Sequence, residues 1–232
     1  MGQKVNPIGF RTGITLGWKS RWYAPKAAYG EFLIEDYRIR RYVDDRLNRR
    51  PPYAAVSKIE IERTRSDVRV ILHTARPGLV IGPKGAEVDR LREELEDLVD
   101  RKISVNIVEI KFPDLDAQLV AEGIAEQLKK RTSFRRAMKM RCESTMAAGA
   151  KGVRVMCSGR LGGAEMARKE TQKRGSIPLQ TLQANVSYGY AVAKTTYGTI
   201  GVKVWIYLGR FGEEIEPVVT DSHRGGRRRG RL

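Results

Sequence analysis

Two stretches of this sequence carry residue types at spacings that could do chemistry on a polyanion. The first is Gly82-Pro83-Lys84-Gly85, which follows the apolar run Leu79-Val80-Ile81 and precedes an amphipathic stretch from Ala86. Glycines three apart let the backbone turn sharply and approach a sugar-phosphate chain with no Cβ in the way, and Lys84 adds a positive charge. A helix starting at Ala86 would point its free N–H groups at the same place, a weak preference for anions. The second stretch is Lys129 to Arg141, where seven of thirteen residues are Lys or Arg and none is acidic. At roughly 100° per residue, Phe134, Ala137, Met138 and Cys142 cluster on one side and Arg135, Arg136 and Lys139 on the other, with Arg141 toward the apolar side. Like charges at i,i+4 repel by a few tenths of a kcal/mol, so an uncompensated run implies a counter-charge on a partner, for which RNA phosphate is the simplest choice.

Composition narrows the partner and excludes several classes. Forty-four Lys and Arg against 27 Asp and Glu leave a formal charge of +17 and a pI of about 10.1 over 232 residues. Nucleic acid is the first candidate partner and an anionic membrane surface the second. No apolar run approaches the roughly 20 residues that span a bilayer, and no signal peptide opens the chain. Met1-Gly2-Gln3-Lys4-Val5-Asn6 also lacks the Ser or Thr of an acylation site. The expectation is a cytoplasmic protein with no membrane partner. Two cysteines, Cys142 and Cys157, and two histidines, His73 and His223, are too few for a zinc site, and both cysteines fall on apolar faces. No Walker loop and no nucleophile-base pairing can be placed. The reading is therefore of a non-enzyme with no metal, no cofactor and no small-molecule substrate.

The glycine loop must be positioned by the elements around it. Val56 to Glu62 and Val68 to His73 read as strands, with Ile59 and Ile61 on one face of the first and Val68, Val70 and Leu72 on one face of the second. After the loop, Val88, Leu91, Leu95, Leu98 and Val99 recur at helical spacing, and Ile103 to Ile110 alternates as a strand. A helix from about Lys26 to Asn48, ended by Pro51-Pro52, precedes them, and its charges balance as a solvated face. Strand, strand, helix, G-x-x-G, helix, strand with a leading helix is the order of a type II KH domain, a module that clamps single-stranded nucleic acid.

Phe112-Pro113-Asp114 reads as a boundary. Beyond it Ala117, Val120, Ala121, Ile124, Ala125 and Leu128 share one helical face, the basic helix follows, and three strands come next: Lys151 to Cys157, Ala184 to Val192 and Ile200 to Leu208. Lys194 to Gly198 has the length and glycine of a hairpin turn. The fold class is α+β: a type II KH domain over 17–111, then a domain of two helices packed on a small antiparallel sheet over 112–208. A basic arm over 1–16 precedes them. No acid occurs before Glu31, and Lys4, Arg11, Lys19 and Arg21 could lie along phosphates. Trp18, Trp22 and Tyr23 could stack on bases or anchor the arm, and anchoring is favoured for Trp22 and Tyr23 because large aromatics bury. Residues 209–232 end in HRGGRRRGRL and read as a disordered tail that holds phosphate without reading sequence.

Six motifs in order then resemble one family. They are Met1-Gly2-Gln3-Lys4-Val5-Asn6-Pro7, His73-Thr74-Ala75-Arg76-Pro77-Gly78, Val80-Ile81-Gly82, Phe134-Arg135-Arg136-Ala137-Met138-Lys139, Ser158-Gly159-Arg160-Leu161-Gly162-Gly163-Ala164-Glu165 and Gly201-Val202-Lys203-Val204-Trp205-Ile206. The run is similar, over residues 1 to 208, to the bacterial form of the third protein of the small ribosomal subunit. The resemblance implies a ribosome-bound structural component of the subunit head that binds ribosomal RNA and helps form the channel through which messenger RNA enters. It implies that Arg131, Arg135, Arg136 and Lys139 contact or unwind message, that Lys4, Arg11, Lys19, Arg21, Arg160 and Arg168 hold ribosomal RNA, and that Gly82, Pro83, Lys84 and Gly85 form an RNA loop. It also implies the tenth and fourteenth small-subunit proteins as neighbours. The chain departs from the family at Pro83, where a second basic residue is usual, and at Ser176, Gln180 and Gln183, where basic residues and a histidine are usual. A stand-alone KH regulator of messenger RNA would explain the loop and the charge, but leaves the basic helix and both arms without a task.

Overall fold

The computed structural model describes residues 3–51, 53–64 and 67–213, and the chain divides between Leu119 and Val120 into two units. Of the tail expected over 209–232, residues 214–232 lie outside the described residues.

The first unit opens with a helix where an aperiodic arm is expected. Asn6 accepts from the amides of Ile8 (2.9 Å) and Gly9 (3.4 Å), and Pro7 fills the first helical position, so α1 (Pro7–Arg11) is capped by its own sequence. Two residues of β1 (Ser20–Arg21) then pair in parallel with β2 (Val56–Arg63). Between them runs α2 (Lys26–Val43), which widens into a π turn over Asp44–Asn48. Asn48 closes that turn through both atoms of its amide, bonded to the carbonyl and the N–H of Val56 at 3.0 and 2.9 Å.

β3 (Asp67–Thr74) pairs antiparallel with β2 and parallel with β4 (Lys102–Glu109), giving the order β1-β2-β3-β4. The crossover from β3 to β4 carries α3 (Pro77–Ile81) and α4 (Ala86–Val99) with the glycine loop between them. This is the KH order read from the sequence. Ile39 and Val43 of α2, Leu91 and Leu95 of α4, and Ile61, Val70 and Leu72 of the sheet are buried together, each contributing about 1.5–3 kcal/mol.

Asp36 of α2, itself buried, ties the chain ahead of α2 to this core. Its carboxylate accepts from Ser20 Oγ (2.8 Å), Trp22 Nε1 (2.9 Å) and Arg63 Nε (2.8 Å). Trp22 also lies edge-on against Phe32, with centroids 5.7 Å apart. Trp22 is thus an anchor, as expected, whereas Tyr23 is 94% exposed and Trp18 66%. Tyr23 therefore corrects the expectation of a second anchor beside Trp22.

α5 (Ala117–Lys129) begins at the end of the first unit and runs into the second, where α6 (Phe134–Ala147) follows and an antiparallel sheet is built of β5 (Gly152–Gly159), β6 (Arg168–Gly175), β7 (Ala184–Thr195) and β8 (Gly198–Arg210), ordered β6-β5-β8-β7. The strand missing from the sequence reading is β6, whose residues RKETQKRG include nothing apolar. It forms because an edge strand needs only one partner, and β5 supplies it over eight pairs from Gly152↔Gly175 to Gly159↔Arg168. β8 runs on to Arg210, and a two-residue turn, Thr196-Tyr197, joins it to β7. Ala137, Met138 and Cys142 of α6 and Val153, Val155, Cys157, Val202, Val204 and Ile206 of the sheet are all fully buried. Burial pushes the Cys142 thiol up to about 11 and the Cys157 thiol up to about 12, as befits core residues.

Candidate nucleic-acid interface

The glycine loop has the backbone of a clamp. Gly82 ends α3 with φ 69° and ψ 179°, Lys84 sits at φ 56° and Gly85 at φ 81°. A Cβ on Gly82 would lie 2.6 Å from Glu87 Cγ, so the loop turns against α4 only because that position is glycine. Pro83 and Lys84 are exposed at the tip.

Its electrostatics are less favourable than its shape. The helix behind it carries six acids, beginning with Glu87 and Asp89 in the first turn, against Arg90 and Arg92. Those first-turn carboxylates already serve the helix N-terminus that would otherwise favour a phosphate. The cleft between α4 and β4, about 580 Å³, mixes Asp89 and Glu96 with Arg92 and Lys102.

On the other side of α4, a cleft of about 870 Å³ is bounded by α2, the glycine loop and α4. Arg38, Arg41, Arg46, Arg50 and Arg90 line it. Arg46 is held by Glu87 (3.3 Å) and Glu94, while Arg38 and Arg50 have no ion pair among the described residues. Sequence reasoning treated these arginines as a solvated face. The available signal was that neither Arg38 nor Arg50 has an acid four residues away, whereas Arg41 and Arg49 share Asp45.

The residues expected to hold RNA ahead of α2 do not form one group. Lys4 is exposed. Lys19 is exposed but crowded, and desolvation followed by the Arg40 and Lys58 charges lowers its pKa against the pull of Asp116. Arg21 is half exposed, 3.7 Å from both Glu60 and Glu62. Arg11 corrects the expectation: it is fully buried and donates to the Pro7 carbonyl (3.1 Å), closing α1 instead of reaching solvent.

In the second unit the predicted cations converge. The basic run is not one helix, since α5 stops at Lys129 and Arg131 turns the chain with φ 60° before α6 begins at Phe134. Arg131 therefore sits in the connecting turn and not on the helix where the sequence reading put it. On α6, Arg135, Arg136 and Lys139 are exposed and Ala137, Met138 and Cys142 buried, the split that the helical angles gave. Arg141 lies inward with its guanidinium over Gly123 of α5, where a Cβ would come within 2.9 Å of Nη2.

Arg135 reaches Glu170 of β6 at 3.3 Å and lies 5.5 Å over Phe134, and Arg168 approaches the same two groups. Arg136 and Lys139 have no ion pair or hydrogen bond among the described residues. Arg160 is committed elsewhere: its Nε donates to the Ala164 carbonyl and Nη1 to the Tyr197 carbonyl, each at 3.0 Å, which pins the glycine-rich loop after β5 to the β7–β8 turn.

The arrangement can bind phosphate. Two family descriptions match the chain, in the order of its two units: "KH domain" over residues 38–115 and "Ribosomal protein S3, C-terminal domain" over residues 124–206. Relatives named small ribosomal subunit protein uS3 are similar from end to end. That of Caldicellulosiruptor bescii is 56% identical over 97% of this chain and 99% of its own. That of Pelotomaculum thermopropionicum is 52% identical over 98% and 96%, and that of Rhodopirellula baltica 54% over 92% and 91%. With both units matched and identity above one half along almost the whole length, the chain belongs to the uS3 family of small ribosomal subunit proteins.

Proposed function

We propose that the chain is a non-enzymatic structural component of the small ribosomal subunit that binds ribosomal RNA by charge and shape, and that α6 meets incoming messenger RNA. The observation that carries the second part is the pair Arg136 and Lys139: two cations with no counter-charge among the described residues, on the outer face of a helix whose inner face is fully buried. Held rigidly by the core, they lose little conformational freedom when they meet a phosphate. Arg135, 68% exposed despite its Glu170 contact, and Arg131 in the turn extend the same surface. Arg168 and the exposed Lys4 contribute phosphate contacts, whereas Arg11 and Arg160 support the fold. The family resemblance makes the tenth and fourteenth small-subunit proteins the expected neighbours.

The test uses ribosomes carrying Arg136→Glu with Lys139→Glu. Subunits assemble, and elongation slows through a messenger hairpin while remaining normal on unstructured message. Equal rates on both messages would remove α6 from the messenger path.

A further inference from the structure

The sheet of the second unit has two faces, and α6 uses only one. Val153, Val155 and Cys157 of β5 point to the helix side, and so do their β6 neighbours Glu170 and Arg174, which meet Arg135 and Glu143 of α6. The alternate residues form the opposite face. Across the four strands one row reads Lys173, Arg154, Trp205, Tyr188, and the next reads Thr171, Met156, Lys203, Tyr190. Cations thus gather toward β6 and aromatic rings toward β7. Glu170 is the only acid in the four strands and it faces the helix, so the strands bring no negative charge to this face.

The rings form a cluster, with Tyr188 tilted 50° against Trp205. Tyr188 and Trp205 lie 5.4 Å apart, the Arg154 guanidinium sits 5.0 Å over Trp205, and Tyr190, 47% exposed, leans over Gly201, where a Cβ would touch its ring at 3.7 Å. Arg154 Nε is buried with no hydrogen-bond partner. We propose that this face is a second RNA site, which takes a single strand with a base on Tyr190 and phosphates along Arg154, Lys173 and Lys203. Stacked rings bind unpaired bases and are useless to a duplex, whose bases are already stacked. A polyanion fits the absence of acid, and the chain's own arginine-rich end would be repelled by the same charge.

The proposal rests on the RNA-binding reading above, so its test separates the two. Binding of the full chain to a labelled 12-nucleotide oligo(U) and to an RNA duplex of equal length is measured by fluorescence anisotropy over a salt series. Tyr190→Ala should weaken oligo(U) binding about tenfold with duplex binding unchanged, and Tyr190→Phe should restore it. Lys203→Gln should lower the salt slope on oligo(U) by roughly 0.7. If Tyr190→Ala and Lys203→Gln bind like the wild type while Arg136→Glu with Lys139→Glu does not, the sheet assignment falls and the α6 reading stands. If all three bind like the wild type, both fall. If the sheet variants keep oligo(U) affinity but fail to enter reconstituted subunits, the face belongs to a protein neighbour and the proposal is overturned.

Discussion

Asp36 shows how much one carboxylate can organise. It holds the Ser20 hydroxyl, the Trp22 indole and the Arg63 guanidinium, and Arg63, with 2% of its side chain exposed, also meets Glu35. Removing one partner of a buried ion pair leaves the other charge desolvated, which costs about 3–5 kcal/mol. Asp36→Ala should lower stability by that amount in urea unfolding and free Trp22, seen as a red shift in its fluorescence. Asp36→Asn keeps an acceptor oxygen and should fall in between; a loss under about 1 kcal/mol for Asp36→Ala would mean that the cluster is not coupled. The two buried thiols give a second test at this scale. Their raised pKa values favour the neutral form in the fold, so the stability they contribute is complete below pH 9.0 and is lost as pH rises toward about 12. Neither Cys142 nor Cys157 should be alkylated by iodoacetamide in the native chain at pH 8, and labelling should track unfolding.

Between α5 and α6 the structure carries a cost that points to its use. Arg131 adopts φ 60°, its amide bonded to the Leu128 carbonyl and that of Thr132 to the Gln127 carbonyl, a helix end at which glycine is common. Arg131→Gly should relieve strain and stabilise the chain by up to about 1 kcal/mol in thermal unfolding, while lowering RNA affinity if the side chain contacts phosphate. A destabilised glycine variant would show that the arginine is held by contacts within the fold. The run Lys129 to Arg141 reads as continuous in charge, but charge does not report backbone direction, so this turn was not legible in the sequence. The two faces of α6 were, because Ala137, Met138 and Cys142 repeat at helical spacing. The KH order was legible for the same reason, since the buried residues of β3 follow a period of 2 and those of α4 a helical period, although in β2 a bulge between Val56 and Lys58 shifts the parity and leaves Val56 and Ile61 both buried. β6 was not, because its stability lies in backbone pairing with β5 and in Arg174–Glu143 and Arg135–Glu170, pairs 31 and 35 residues apart in sequence. The burial of Arg11 and the backbone partners of Arg160 were not legible for the converse reason: neither can be inferred from a side chain's charge.

At the scale of the whole molecule the charge is unevenly divided. Residues 1–119 carry 22 Lys and Arg against 18 acids, a net +4, and residues 120–232 carry 22 against 9, the remaining +13 of the formal +17. The KH unit thus has the loop geometry of a nucleic-acid clamp without the field that usually accompanies it, and α4, behind the loop, is acidic. The second unit has the field and, on α6, a rigid surface that presents it. A strand gripped at phosphates releases counterions, and each neutralised phosphate adds about 0.7 to 0.9 to the slope of log affinity against log salt concentration. If the second unit supplies the grip, Arg136→Gln with Lys139→Gln should lower that slope by roughly 1.5 on a structured ribosomal RNA fragment, and Lys84→Gln should leave it unchanged. An equal drop for Lys84→Gln would place the glycine loop on a phosphate despite its acidic helix, and Arg38 and Arg50, in the cleft beside the loop, would then be the next side chains to neutralise.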